Sequence, residues 1–94
     1  MPISKANVPT ERASNYLKNL CRHWAHRFPV EFDDHHGVIN LDQAVCTMNA
    51  AGESLEVTID AMEEQNLPRL ESVVAEHLQR FGFRETLVFN WIRA

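Results

Sequence analysis

The run LCRHWAHRF, residues 20–28, places one cysteine and two histidines within six positions: Cys21, His23 and His26. Thiolate and imidazole are the donors that hold zinc, iron or haem. A shared ion would need all three to converge within about 2.0–2.3 Å of it. The surrounding residues 10–28 read as an amphipathic helix: Ala13, Tyr16, Leu17, Leu20, Cys21, Trp24 and Phe28 recur at three- and four-residue steps and form one apolar stripe. At about 100° per residue, with the stripe centred near Trp24, Cys21 falls roughly 60° to one side. His23 falls about 100° to the other side and His26 about 160° away, toward water. A continuous helix cannot bring the three to one ion. Cys21 and Trp24 are therefore assigned to the core, His23 to a boundary and His26 to solvent. His23 and His26, three residues apart, remain metal candidates if another element contributes.

A second cluster of ligand types, DDHHG at 33–37, sits at a hairpin tip, where Asp and Gly are expected for turn geometry and no rigid outer shell can orient ligands. His77 is more informative. It lies about 40° from the centre of a second helical stripe, and a buried imidazole needs hydrogen-bond partners. Glu85 shares strand parity with Leu87, Phe89 and Trp91 and is expected to point inward toward it. A His77–Glu85 pair is either a satisfied core contact or a pocket in which a carboxylate orients a histidine for ligand, metal or proton. Trp91 could stack on a ligand at its rim. No glycine-rich phosphate loop, nucleophile elbow or HExxH pair is present, so no catalytic residue and no cofactor is assigned.

The elements that must position these residues follow from pattern. Thr10 is expected to cap the first helix and Pro29 to end it. Short strands are expected at 30–32, 38–41, 44–50 and 55–60, with Gly37 available for positive φ in the first hairpin. Cys46 and Met48, and then Leu55, Val57 and Ile59, face inward; the opposite faces are polar, as in a sheet covered on one side. Asp60 and Glu63 resemble a capping box. Pro68 fits only a first turn, so a short turn at 61–66 precedes a main helix from about 67. Leu67, Leu70, Val73, Val74, Leu78 and Phe81 form its stripe, and Gly82 stops it. A last strand in ETLVFNW places Leu87, Phe89 and Trp91 on one face. The order α-β-β-β-β-α-β predicts an α+β fold: a two-layer sandwich with a mainly antiparallel sheet and both helices on one face. The crossover would lay the last strand parallel to an earlier one. The first eight or so residues are expected to be a flexible leader.

Ninety-four residues bound this to one domain, with 45% hydrophobic content sufficient for a core without metal or disulfides. Nine basic and 13 acidic residues give a net charge of −4, with no concentrated basic footprint for nucleic acid. No signal peptide or membrane span is evident. The chain reads as a complete cytoplasmic protein whose two cysteines stay reduced. Exposed strand edges make a homodimer one candidate assembly.

The combination YLKNLCRHWAHRF … VVAEHLQRFGFRETLVFNW resembles the bacterial family called domain of unknown function 2218. The leucine-cysteine-x-histidine run and following histidine are met by Leu20, Cys21, His23 and His26. The valine pair, histidine-leucine and arginine-phenylalanine are met by Val73, Val74, His77, Leu78, Arg80 and Phe81. Arg84, Glu85 and Trp91 fit the ending, whereas DDHHG belongs to no family motif and Pro68 departs from the usual helix former. Family members occur alone or fused to siderophore-interacting flavin reductases, so the resemblance implies an iron-acquisition setting rather than a reaction. It implies a cytoplasmic accessory or ligand-binding domain, with a small ligand or a siderophore-pathway protein as partner. The candidate binding residues are His77, Glu85, His23, Arg84 and Trp91, and the metal candidates are His23, His26 and His77. Cys21, Trp24, Cys46, Leu78, Phe81, Leu87 and Phe89 are assigned to the core. The competing readings are a metal protein or small enzyme using His77 and Glu85, and a homodimerisation module.

Overall fold

The alternation of small and apolar residues in ISKANVP builds the first element, a strand where the sequence predicts a flexible segment. Ser4, Ala6 and Val8 point inward, while Lys5, Asn7 and Pro9 are exposed. In a computed structural model that describes residues 2–82 and 85–93, the elements are β1 (Ile3–Pro9), α1 (Ala13–Trp24), β2 (Val30–Phe32), β3 (His36–Leu41), β4 (Ala44–Ala51), β5 (Ser54–Ala61), α2 (Leu67–Phe81) and β6 (Ile92–Arg93). A single 3-10 turn, Glu64–Asn66, leads into α2. The expected α-β-β-β-β-α-β order therefore follows one further strand. The flexible leader is replaced by β1, which pairs along its whole length with β5.

The sheet runs β2-β3-β4-β5-β1-β6, and every neighbouring pair is antiparallel. The last strand is thus antiparallel to β1, not parallel to any strand, because the chain leaves α2 and returns along the edge that β1 presents. β6 itself is only two residues long; residues 86–91 run beside the core without ladder bonds. Even so, Leu87 is buried and Phe89 and Trp91 are partly buried, which is the parity the sequence required.

Both helices cover one face. α1 lies over β3, β4 and β5, and α2 lies over β5 and β1. The core between the layers is filled by Leu17, Leu20, Cys21 and Trp24 from α1, Ile39, Cys46, Met48, Leu55, Val57 and Ile59 from the sheet, and Val74 and Leu78 from α2. Each large aliphatic side chain buried there contributes about 1.5–3 kcal/mol.

Local chemistry sets the element ends. Thr10 does not cap α1 at its first residue; its hydroxyl accepts from the Arg12 N–H at 3.1 Å, one step earlier, and Tyr16 N–H then donates to the Arg12 carbonyl at 3.1 Å. The regular helix ends at Trp24, but Phe28 N–H still donates to the Trp24 carbonyl, so one more turn carries the chain to Pro29. Asp33 accepts from the backbone N–H groups of His35 and His36, both at 2.8 Å, and closes the β2–β3 turn; these bonds lower the pKa of its carboxyl. Pro68 occupies the first turn of α2, and Gly82 follows its last residue, as expected. The Asp60–Glu63 capping box does not form. Asp60 is inside β5, with one buried carboxylate oxygen lacking a protein partner among the described residues. Gly37 has no positive φ; its role is close approach, since a Cβ there would lie 2.8 Å from Cys21 Sγ.

Candidate functional site

The end of α1 and the second half of α2 converge on an aromatic rim. His77, half-buried on α2, has its ring centre 5.1 Å from that of Trp24 and 5.4 Å from that of His23. Phe81, one turn further along α2, meets His23 edge-on at 6.2 Å. Nδ1 of His77 lies 2.7 Å from the Val73 carbonyl oxygen. A carbonyl only accepts, so Nδ1 carries the hydrogen, and Nε2 is the ring nitrogen left for a further partner.

Beside this rim lies a cleft of about 410 Å3, within the size range of small-molecule pockets. Its apolar wall is formed by Trp24, Phe28, Leu70 and Val73, with His77 at one end. The β3–β4 turn closes another side through Asp42 and Gln43, and Gln43 is held there by the Asn66 amide at 3.2 Å and by Met62 N–H at 3.0 Å. Two guanidinium groups complete the lining: Arg27 from the turn after α1 and Arg69 from the first turn of α2. Neither forms an ion pair among the described residues. Apolar walls with a few convergent charges are what a small anionic ligand with an apolar body requires.

The sequence candidates divide. His23 and His77 come together, and Trp24, assigned to the core, also walls the cleft. Glu85 does not pair with His77. It accepts from the Tyr16 hydroxyl at 2.8 Å and from the Thr10 hydroxyl at 3.2 Å, near the N-terminal end of α1. The acid–base pair imagined for an enzyme is therefore not assembled. His26 is exposed, and Trp91 stacks on Phe89, with ring centres 5.8 Å apart and planes at 15°, away from the cleft lining. Arg84 lies outside the described residues. Among the described residues, no group of three or more His, Cys, Asp or Glu side chains could hold a metal ion. Cys21 and Cys46 are buried free thiols; burial pushes Cys21 up to about 11 and Cys46, with Cys21 beside it, up to about 12.

Arg27, Arg69, Asp42 and Gln43 were not singled out in the sequence. Their one readable sign is position: Arg27 follows the helix end and Arg69 follows Pro68, both places where a side chain leaves the packed stripe. Glu71 was also missed. It is buried on α2, accepts from the Ser4 hydroxyl at 2.5 Å, and receives a two-pronged contact from Arg93 at 3.1 and 3.0 Å. That arrangement ties β1, α2 and β6 together and is structural.

The architecture is an α+β sandwich with an open, cationic, aromatic-walled cleft between its helices and one sheet turn. A family model described as an uncharacterized protein conserved in bacteria (DUF2218) matches residues 5–92, so the chain belongs to this family. No curated protein matches it. Among solved structures, the NMR structure of PA4090 from Pseudomonas aeruginosa is 34% identical, covers 98% of this chain and 96% of its own, and superposes with a TM-score of 0.82. Among the described residues, no helix is long and apolar enough to cross a membrane.

Proposed function

We propose that this chain is a cytoplasmic small-molecule-binding accessory domain whose site is the Trp24–His77 cleft. The observation that carries the reading is the pairing of an aromatic wall with two guanidinium groups, Arg27 and Arg69, that have no carboxylate partner among the described residues. The ligand class is a planar or apolar body bearing carboxylate, phenolate or phosphate oxygens. Trp24 and Phe28 take the flat face, and the arginines take the oxygens in forked hydrogen bonds. The fused flavin reductases of the resembled family suggest the setting: a ferric catecholate siderophore, or one of its aromatic arms, has this chemistry.

Trp24 is the reporter. In untagged Trp91→Phe protein, titration with a ferric catecholate siderophore, and separately with free 2,3-dihydroxybenzoate, should quench Trp24 fluorescence saturably. The paired substitutions Arg27→Gln and Arg69→Gln should abolish the response. Quenching by the free aromatic acid but not by the ferric complex would keep the cleft and reject the iron setting. No saturable response to either would reject the site.

A further inference from the structure

We propose that His23 and His77 form a two-histidine binding site for a divalent transition metal at the rim between α1 and α2. The ring spacing is the first argument. A zinc–nitrogen bond is about 2.0–2.1 Å and places the ring centre about 3.2 Å from the metal, so two imidazoles at a tetrahedral angle have centres roughly 5.2 Å apart. The observed separation is 5.4 Å, with the planes tilted by 48°. The second argument is the tautomer. Metal-bound histidines characteristically donate their other ring N–H to a carbonyl or carboxylate, which fixes the ring and leaves the ligating nitrogen bare. His77 already does this through Nδ1 and the Val73 carbonyl at 2.7 Å, so Nε2 is the free donor. His23 is exposed and can turn its ring so that one nitrogen faces the same point.

The two come from different helices, which makes the site a property of the fold and not of a local motif. No third protein donor joins them among the described residues. The remaining positions would therefore belong to water or to an exogenous ligand, as in open metal sites. With two neutral imidazoles and no thiolate, preference follows the general order for nitrogen sites, with Cu(II) bound more tightly than Zn(II). His35 and His36, beside Asp33 at the hairpin tip, are the competing surface donors and define the control.

The experiment is calorimetry with Zn(II), together with Trp24 quenching by Cu(II), on untagged protein. One ion per chain is expected. His23→Gln and His77→Gln should each weaken binding roughly tenfold or more, whereas His35→Gln with His36→Gln should leave it unchanged. His23 is exposed, so His23→Gln retains the fold and decides the matter alone if His77→Gln does not. Absence of binding, equal binding in every variant, or loss only in the hairpin variant would each overturn the proposal. This site rests on ring geometry and not on the arginines of the cleft. Arg27→Gln with Arg69→Gln should leave Zn(II) binding intact, and His23→Gln should leave the dihydroxybenzoate titration intact, so the two readings fail separately.

Discussion

Tyr16 donates its phenolic hydrogen to Glu85 Oε2 across 2.8 Å, and this bond commits Glu85 to the first helix, leaving His77 without a carboxylate partner among the described residues. Burial, followed by the bond to Glu85 and its charge, pushes the Tyr16 phenol up from 10.0 to about 12. The neutral phenol is favoured by folding, so its contribution is complete below pH 10 and is lost as pH rises through about 12. Tyr16→Phe should cost about 1–2 kcal/mol at pH 8, and should make the decline between pH 10 and 12 in urea denaturation shallower, leaving the share that the two buried thiols contribute. His77→Leu should fold and lose no more than about 1 kcal/mol, because among the described residues its ring bonds only to a carbonyl of its own helix. A His77→Leu protein that failed to fold would restore the buried-pair reading.

Glu71 predicts the opposite arm of the pH profile. The Arg93 guanidinium, and then the Ser4 hydroxyl, hold its carboxyl below 4.5 against the opposing effect of burial. The stability it supplies is present above the unfolded value and is lost as pH falls through the lowered folded one. Glu71→Gln should therefore cost stability at pH 7 but flatten the acid decline below pH 4.5. Ser4→Ala should cost about 1 kcal/mol. Arg93→Ala should cost little, since its side chain is 45% exposed and the pair is screened. Hydrogen exchange at Ile92 and Arg93 should quicken in all three.

Gly37 tests the contact between layers. A Cβ there would meet Cys21 Sγ at 2.8 Å and Leu17 Cδ2 at 3.1 Å, so α1 would have to lift from β3. Gly37→Ala should destabilise by about 1–3 kcal/mol. In the Cys21→Ala background the same change should cost less, and a double-mutant cycle by chemical denaturation measures that coupling. Equal cost in both backgrounds would mean that Leu17, not Cys21, sets the distance.

Much of this fold is legible because one face of each element is strongly apolar. The stripe from Ala13 to Trp24, the alternation through Cys46 and Met48 and then Leu55 to Ile59, and the break at Pro68 all survive in the structure. β1 was not legible because two of its three inward residues are Ser4 and Ala6, which carry little hydrophobic signal; it is a strand because β5 pairs with it. β6 in turn is set by β1, with which it pairs, and by Glu71 holding Arg93. At the site, His23 and His77 could be placed on helix faces from the sequence, but their meeting depends on the packing of α1 against α2. Arg27 and Arg69 belong to different elements and join only through the fold. Glu85 had the right parity but the wrong partner, because residues 86–91 lack a ladder to hold them in a strand's register.

The two thiols supply a direct check on the packed core. Both are fully buried, and burial raises Cys21 to about 11 and Cys46 to about 12, so neither supplies the thiolate that reacts with disulfide reagents. At pH 8 the native protein should show no fast-reacting thiol toward a chromogenic disulfide, whereas both cysteines should react within the mixing time in concentrated urea. Because the thiol forms are the ones the fold favours, their contribution is present below pH 9.0 and is lost as pH climbs through about 11 to 12. Native reactivity should therefore track unfolding, slowing as stability rises and quickening in Gly37→Ala. A fast native thiol at pH 8 would mean that α1 opens locally from the sheet, and Cys21→Ser and Cys46→Ser would show which cysteine the opening exposes.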